Sequence, residues 1–179
     1  MSAIPLPQNL TIETERLTIR PICREDASGF FALRQDRTVT AMMGFSPYVK
    51  LEEAERYVVT RMQMMAEGNC LFWAITLKES GSFIGSVCLW NFRLEEGSTE
   101  IGYELLPAFH GKGYASEAIR AVSQYAFSEI GFACVDALVD PKNLPSLQVL
   151  SRNGFSSCGI TKRSVDAPEL IRYALASGN

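Results

Sequence analysis

The sequence contains a single histidine, His110, and its five cysteines form no Cys-x-x-Cys pair. Zinc sites draw several of their ligands from histidine and cysteine, so this composition argues against zinc, and we expect no metal. An odd number of widely spaced cysteines is typical of buried thiols in a reducing cytosol rather than of a disulfide framework. A Ser-His-Asp triad would have to use His110, which lies inside a glycine-rich loop.

The sequence also lacks a basic excess and a long apolar run. A net charge of −3 argues against a nucleic-acid-binding surface. No apolar stretch approaches the roughly 20 residues of a membrane span. The N-terminus has no basic region followed by a hydrophobic stretch, as a signal peptide would have. We therefore expect a cytoplasmic protein that binds neither nucleic acid nor membranes.

The length of 179 residues and the apolar share of 47% fit one globular domain. We expect a lead-in segment over residues 1–9 and a single domain over residues 10–179. Alternating polarity predicts strands, and apolar residues at helical spacing predict helices. The predicted strands cover 11–22, 71–77, 83–92, 99–106, 134–139, 155–163 and 170–175. The predicted helices cover 25–35, 51–67, 114–130 and 143–153, and residues 36–50 are predicted to be irregular.

The order of these elements predicts an α+β fold. The strands between residues 71 and 106 are joined by short turns, which is typical of an antiparallel meander. The strand 99–106, the following helix and the strand 134–139 require a parallel pair with a crossover helix. We therefore expect a mixed, mostly antiparallel central sheet with one parallel strand pair and helices on both faces.

The loop from His110 to Ala115 lies between a predicted strand and a predicted helix. The first turn of a helix has unpaired N–H groups and a partial positive charge. Gly111 and Gly113 leave the backbone accessible, so the amides of residues 111–115 can converge on an anion, to which Lys112 adds a charge. The small Ala115 allows the helix to start close to the ligand.

Two other interpretations of this loop remain open. It can be a tight turn without a ligand. Alternatively, Gly111-x-Gly113-x-x-Ser116, with Asp136 about 20 residues further on, nearly matches the fingerprint of NAD-binding folds. However, Ser116 replaces the third small residue of that fingerprint, and an antiparallel meander rather than a β-α-β unit precedes the loop.

A second group of residues follows the next predicted strand and includes Asn143, Ser146 and Asn153-Gly154-Phe155. With it, the chain resembles the GNAT superfamily of acyl-CoA-dependent N-acetyltransferases, and within it the branch of the ribosomal-protein N-terminal acetylating enzymes (RimJ/RimL-like). The segments that carry the resemblance are Glu13–Pro21, Phe83–Gly85, Glu100–Tyr103, Gly111–Ala118 and Asn143–Phe155. Their order and separation fit the family from about residue 11 to residue 176.

The resemblance implies a GNAT fold, in which the sheet splays where two parallel strands part and the pantetheine of acetyl-CoA lies in the gap. Here those strands are 99–106 and 134–139. The loop would then hold the pyrophosphate of acetyl-CoA. The implied cofactor contacts are Leu105, Leu106, His110, Gly111, Lys112, Gly113, Tyr114, Ala115, Asn143 and Ser146.

The chain departs from the family's pattern at two positions. His110 stands where the loop commonly has Gln or Arg. Leu150 stands where many members have a tyrosine that serves as the general acid. Another group, or solvent, must then protonate the leaving thiolate.

The family's mechanism is a direct attack by an amine on the thioester, which requires a base and an acid. We expect Glu100 to be the base, because it lies on the strand that lines the gap. Glu104 shares its face by alternation and is the second candidate. Ser146, in the first turn of its helix, is the candidate acid. The competing interpretations are a solvated or salt-bridged strand residue for Glu100 and a capping or purely binding residue for Ser146.

The acceptor site is less well defined by the sequence. The resemblance implies that residues 36–50 and the helix 51–67 wall it. Side chains that can line it are Phe45, Tyr48, Trp73, Trp90 and, more weakly, Asn91. The competing interpretation of these aromatic residues is that they belong to the core, where such residues more often lie. The acceptor is either a protein N-terminal amine or a small-molecule amine. A non-catalytic CoA-binding sensor and an NAD-dependent oxidoreductase are the alternatives, and the chain is expected to be a monomer or a homodimer.

Overall fold

A computed structural model describes residue 4 and residues 7–178 of the chain. Its central element, within these residues, is one sheet of eight strands in the order β1-β2-β3-β4-β5-β6-β8-β7. The strands are β1 (Ile12–Glu13), β2 (Leu17–Pro21), β3 (Leu71–Leu77), β4 (Phe83–Arg93), β5 (Ser98–Leu105), β6 (Cys134–Val139), β7 (Ser156–Thr161) and β8 (Leu170–Ala176). All neighbours pair antiparallel except β5 and β6, which are parallel, as the element order predicts.

The helices cover both faces of the sheet. They are α1 (Ala27–Gln35), α2 (Arg37–Met43), α3 (Leu51–Ala66), α4 (Tyr114–Tyr125) and α5 (Leu144–Arg152). One apolar core lies between the sheet and α4 and α5, and a second lies between the sheet and α1 and α3. The expected α+β class with helices on both faces is therefore confirmed. No helix in the described part of the chain is both long and apolar enough to span a membrane.

The parallel pair parts soon after it begins. Its register joins Ser98 to Cys134, Thr99 to Val135 and Glu100 to Asp136, and the ladder ends there. Beyond that point β5 continues along β4, whereas β6 continues along β8 as far as Val139. The result is a wedge between residues 101–105 and residues 137–139, which we call the gap.

The single strand predicted over residues 11–22 is wrong, because this segment is a hairpin of β1 and β2. The turn closes when the Thr14 amide donates to the Leu17 carbonyl at 3.0 Å and the Leu17 amide donates to the Thr14 hydroxyl at 2.9 Å. Alternation continues through such a turn, so polarity alone does not reveal it.

Residues 36–50 are not wholly irregular, because α2 begins at Arg37. The Asp36 carboxylate caps it by accepting from the amides of Thr38 and Val39 at 2.8 and 3.1 Å, and Gly44 ends it with φ 71°. An acidic N-cap and a glycine stop were the available signals. The helix predicted over 114–130 is α-helical only as far as Tyr125, because Ala126–Ile130 forms a π-helical turn.

The described residues of the expected lead-in segment are anchored to the core. The Ile4 side chain is buried and its amide donates to the Gly68 carbonyl at 3.2 Å. The Asn9 carbonyl accepts from the Tyr125 hydroxyl, and the Leu10 carbonyl accepts from the Trp73 indole. These bonds fix the chain just before β1.

A buried ion pair links α1 to the C-terminal end of β5. The Arg34 guanidinium donates to Glu104 Oε1 at 2.8 and 3.2 Å, and the Ser86 hydroxyl donates to the same oxygen at 3.2 Å. Both charged side chains are almost fully buried. Burial raises the pKa of Glu104 above its ordinary value, although Arg34 opposes the shift.

Replacing Arg34 by Met removes the cation from a buried carboxylate. We expect this change to lower the free energy of unfolding by about 3–5 kcal/mol, as breaking one side of a buried pair does. The double variant Arg34→Met/Glu104→Gln should lose less, because it leaves no buried charge. A carboxyl with a raised folded pKa loses stability as pH rises, so the Arg34→Met deficit should be larger at about pH 7 than at about pH 5. Urea denaturation measures both; equal costs for the single and double variants would contradict this account.

Candidate active site

The glycine-rich loop adopts a backbone that favours glycine at two positions. Gly111 has φ 72° and Gly113 has φ 83°, a region that other residues rarely occupy. A Cβ on Gly111 would meet nothing within 4 Å among the described residues. Gly111 is therefore required by its backbone angles, and the space beside it is open to a ligand.

The amides of this loop are available to an anion. Among the described residues, the N–H groups of residues 111–116 donate no hydrogen bond, and the first bond of α4 runs from the Glu117 amide to the Gly113 carbonyl at 3.0 Å. Gly113 is the N-cap of α4 and supplies no capping side chain. Lys112 is exposed beside these amides. The helix N-terminus thus combines free donors with a partial positive charge, which suits a phosphate.

His110 joins this loop to the end of β5. Its Nε2 lies 2.8 Å from the Leu105 carbonyl oxygen. The neighbouring Leu106 amide donates to the Ile84 carbonyl, and the Leu106 carbonyl accepts from the Phe109 amide, both at 2.9 Å. A cofactor contact with Leu106 would therefore use the second lone pair of its carbonyl, and the contacts of Leu105, Leu106 and His110 with a cofactor stay predictions.

Asn143 and Ser146 lie on the other side of the gap, at the start of α5. The Asn143 side-chain oxygen accepts from the Ser146 amide at 3.2 Å, so Asn143 is the N-cap, as predicted. The Ser146 hydroxyl lies 2.6 Å from the Tyr103 hydroxyl, which reaches it from β5. Tyr103 and Ser146 thus bridge β5 and α5, the elements on either side of the gap.

Tyr103 is a site residue that the sequence reasoning missed. Burial raises the pKa of Tyr103 to about 12, although its bond to Ser146 opposes the shift. The phenol therefore remains protonated at neutral pH and can donate. Leu150, at the position where a tyrosine is common in the family, is fully buried in the core. Tyr103 lies in the segment Glu100–Tyr103 that carries the family resemblance, but no local signal in the sequence pairs it with Ser146.

Glu100 lies on the opposite face of β5 from Tyr103, as an odd separation in a strand requires. Its side chain is buried and is paired with Arg163, which belongs to the connection between β7 and β8. The Arg163 Nη1 donates to Glu100 Oε2 at 3.2 Å, and the guanidinium stacks 4.7 Å above the Trp90 ring. Asn91 Nδ2 makes a long contact of 3.5 Å with the same oxygen. The expected salt-bridge alternative for Glu100 is thus present in the structure.

Glu104 and Glu100 share one face of β5, as alternation predicts, but their partners differ. Glu104 pairs with Arg34, whose side chain is 6% exposed and lies in a packed helix. Glu100 pairs with Arg163, whose side chain is 41% exposed and lies in a surface connection. The second arginine is therefore easier to displace than the first, so of the two carboxylates Glu100 has the less firmly held partner.

Asp136, the parallel partner of Glu100, extends this polar surface. Its buried carboxylate pairs with Arg93 and Arg172, the latter at 3.0 Å. Two carboxylates and three arginines therefore lie together where the gap begins.

Of the side chains considered for the acceptor site, Trp73 lies in the core instead. Trp73 is fully buried in the core beneath α4, on the face opposite Glu100, because alternation along β3 turns it that way. Trp90 is the register partner of Glu100 and is 37% exposed, and Asn91 follows it with φ 52°. Phe45 is exposed and its ring lies 5.0 Å from the Arg34 guanidinium carbon. Tyr48 packs against the second core.

Comparison with known proteins decides the family. The model of the acetyltransferase (GNAT) domain matches residues 16–156. The chain belongs to the GNAT acetyltransferase family. It is also 32% identical over 152 residues to an uncharacterized N-acetyltransferase, p20, of Bacillus licheniformis, a match that covers 85% of each chain. This GNAT protein is accordingly an acyltransferase.

Solved structures share its fold. A putative ribosomal-protein-serine acetyltransferase from Vibrio cholerae superimposes with a TM-score of 0.85 at 20% identity, covering 97% of this chain and all of that one. A spermidine N-acetyltransferase from Vibrio cholerae, in complex with CoA and spermine, gives a TM-score of 0.78 at 18% identity, covering 91% and 96%. These likenesses establish the GNAT fold.

Replacing Asn143 in this GNAT protein by Ala removes the N-cap of α5. We expect a loss of about 1 kcal/mol, which lowers the melting temperature of a chain of this size by about 2–4 °C. Asn143→Asp retains an oxygen acceptor at the N-cap and is the matched control. Thermal unfolding without any ligand measures the effect, and equal melting temperatures for all three proteins would show that the cap does not stabilise α5.

Proposed function

We propose that the protein transfers an acetyl group from acetyl-CoA to a primary amine. The observation that carries the proposal is the set of free amides at residues 111–116, placed at the end of the strand that borders the gap. A phosphate group fits a helix N-terminus with free donors. The spermidine enzyme that shares this fold was solved with CoA, which supports the same use of the fold here.

Different elements of the chain would bind the pyrophosphate and the pantetheine of acetyl-CoA. When bound, acetyl-CoA supplies an activated acyl group. The amides of residues 111–116 and the Lys112 ammonium would hold its pyrophosphate, and the end of β5, near Leu105, would line its pantetheine. Asn143 and Ser146 would contact it from α5. These residues surround the gap from three sides.

Glu100 would accept the proton of the acceptor amine. An amine is a nucleophile only when neutral, and Glu100 lies where the gap begins, on the face that Trp90 and Arg163 border. Arg163 holds the Glu100 carboxylate in one orientation in the free protein. An incoming ammonium can take the place of Arg163, because both are cations and Arg163 lies in a surface connection.

Ser146 and Tyr103 would supply the proton on the other face. The Tyr103 hydroxyl, with its pKa raised to about 12 by burial, lies within hydrogen-bond distance of the Ser146 hydroxyl. If Tyr103 donates to Ser146, the Ser146 hydroxyl is free to donate into the gap. This pair fills the role left open by Leu150 and therefore argues against a non-catalytic sensor. Base and acid lie on opposite faces of one strand, so the two proton transfers are kept apart.

A thermal-shift comparison tests the donor. A ligand that binds only the folded state raises the melting temperature, by an amount that grows with its concentration relative to Kd. We expect acetyl-CoA and CoA to raise it and NAD to leave it unchanged. Protection by NAD without protection by CoA would overturn the proposal.

Glu100→Gln tests the base. The variant keeps the size of the side chain but cannot accept a proton, so we expect kcat to fall by about 10²–10⁴-fold with little change in CoA affinity. The dependence of rate on pH should move upward, toward the range in which the amine is already neutral. Glu95→Gln, in the exposed turn before β5, is the control. Thiol release measures the rate, and an unchanged pH profile would remove Glu100 from the role.

The acceptor is proposed only as a class. A protein N-terminal amine and a small amine both fit a site in which Glu100 and Asp136 are already paired with arginines. A panel of ribosomal-protein N-terminal peptides, amino acids and polyamines separates them by kcat/KM.

A further inference from the structure

A set of hydrogen bonds ties the glycine-rich loop to the turn between β1 and β2. The Glu117 carboxylate, in the first turn of α4, accepts from the Thr14 hydroxyl at 2.6 Å, from the Arg16 amide at 2.9 Å and from Arg16 Nε at 2.6 Å. We call Thr14, Arg16 and Glu117 the clamp. It joins residues about a hundred positions apart in the sequence.

Arg16 also holds the loop itself. Its Nη1 donates to the Lys112 carbonyl at 2.9 Å, and its guanidinium carbon lies 4.5 Å above the centre of the Tyr114 ring. Its Nη2 lies 3.3 Å from where a Cβ on Gly113 would stand. The arginine therefore contacts three consecutive residues of the loop.

The bond to the Lys112 carbonyl fixes the direction of an amide. In a trans peptide the C=O of one residue and the N–H of the next point to opposite sides. Because Arg16 draws the Lys112 carbonyl toward itself, the Gly113 N–H points away from Arg16. The same bond thus orients one of the free donors of the loop.

We infer that the clamp positions the loop in its anion-binding shape before CoA arrives, an inference that rests on the proposed CoA function. Holding a binding loop in its bound conformation increases affinity because less order remains to be gained on binding. Thr14, Arg16 and Glu117 are positioning residues, acting through the amides of residues 111–116.

The charge of Glu117 makes the inference testable, because a clamp role and simple charge repulsion predict opposite changes in CoA affinity when that charge is removed. A carboxylate in the first turn of α4 repels a phosphate, so on charge alone its removal should tighten CoA binding. As a clamp residue its removal should weaken binding. Burial would raise the pKa of Glu117, but the bonds from Thr14 and Arg16 lower it, so the clamp is charged at neutral pH.

The experiment measures the Kd of CoA by titration calorimetry for wild type, Glu117→Gln, Arg16→Lys and Glu15→Gln. We expect Glu117→Gln to weaken binding about tenfold, and Arg16→Lys, which keeps the charge but loses the forked geometry, to weaken it similarly. Glu15→Gln removes an exposed anion from the same turn and is the matched control, expected to bind as wild type or slightly tighter. Tighter binding by Glu117→Gln, or unchanged binding by Arg16→Lys, would overturn the inference.

A second measurement needs no ligand. Trypsin cleaves after lysine, and Arg16 holds the Lys112 carbonyl, so loss of the clamp should expose the Lys112–Gly113 bond to trypsin. We expect mass spectrometry to show faster cleavage of this bond in Arg16→Ala and Glu117→Ala than in the control Glu15→Gln. The digestion is carried out at temperatures where all the variants remain folded. Equal cleavage rates would also overturn the clamp. Failure of the wild-type protein to bind CoA would instead overturn the proposed function. The cleavage rates test the clamp alone and do not depend on CoA binding.

Discussion

The ladder between β5 and β6 stops after Glu100 and Asp136, and the geometry of the site depends on that ending. Each strand keeps its other neighbour, so the sheet remains continuous while the edges that face each other across the gap stay open. Backbone groups of this kind need partners. The loop at the end of β5 and the helix after β6 are placed on either side of the opening by the same divergence.

The alternation of side chains on β5 then divides the chemistry. Glu100 and Glu104 face the layer of α1 and α3, where arginines surround them. Tyr103 faces the layer of α4 and α5, where its hydroxyl pairs with the Ser146 hydroxyl. One strand thus separates a charged surface from a neutral hydrogen-bonding pair. A reaction that takes a proton from one reactant and gives a proton to another suits such a division.

Features with a local signal could be predicted from the sequence. The glycines of the loop, the Asn143 cap, the strand β3 and the parallel pair all follow from short patterns or from element order. The GNAT family was recognised from the spacing of such segments. The cap of α2 at Asp36 was also local but was overlooked, because α2 has no clear apolar stripe.

Features that depend on distant residues could not be predicted. The pairing of Glu100 with Arg163, of Tyr103 with Ser146, and of Arg16 with Glu117 each joins segments that no periodicity relates. Trp73 could not be placed in the core or at the acceptor site beforehand, because an aromatic residue in a strand does not reveal which side of the sheet it occupies. The hairpin of β1 and β2 was missed because its closing bonds use a threonine side chain within an unbroken alternation.

The bonds between the turn at Thr14 and the start of α4 have a consequence for the order in which the chain folds. Contacts over about a hundred residues form late, because the intervening chain must first be closed into a loop. The meander β3-β4-β5 can pair before these contacts exist, since its connections are short. We therefore expect the glycine loop to acquire its final shape only when the first hairpin docks beside it. The ordering of the binding loop would then report that the first and middle parts of the chain have met.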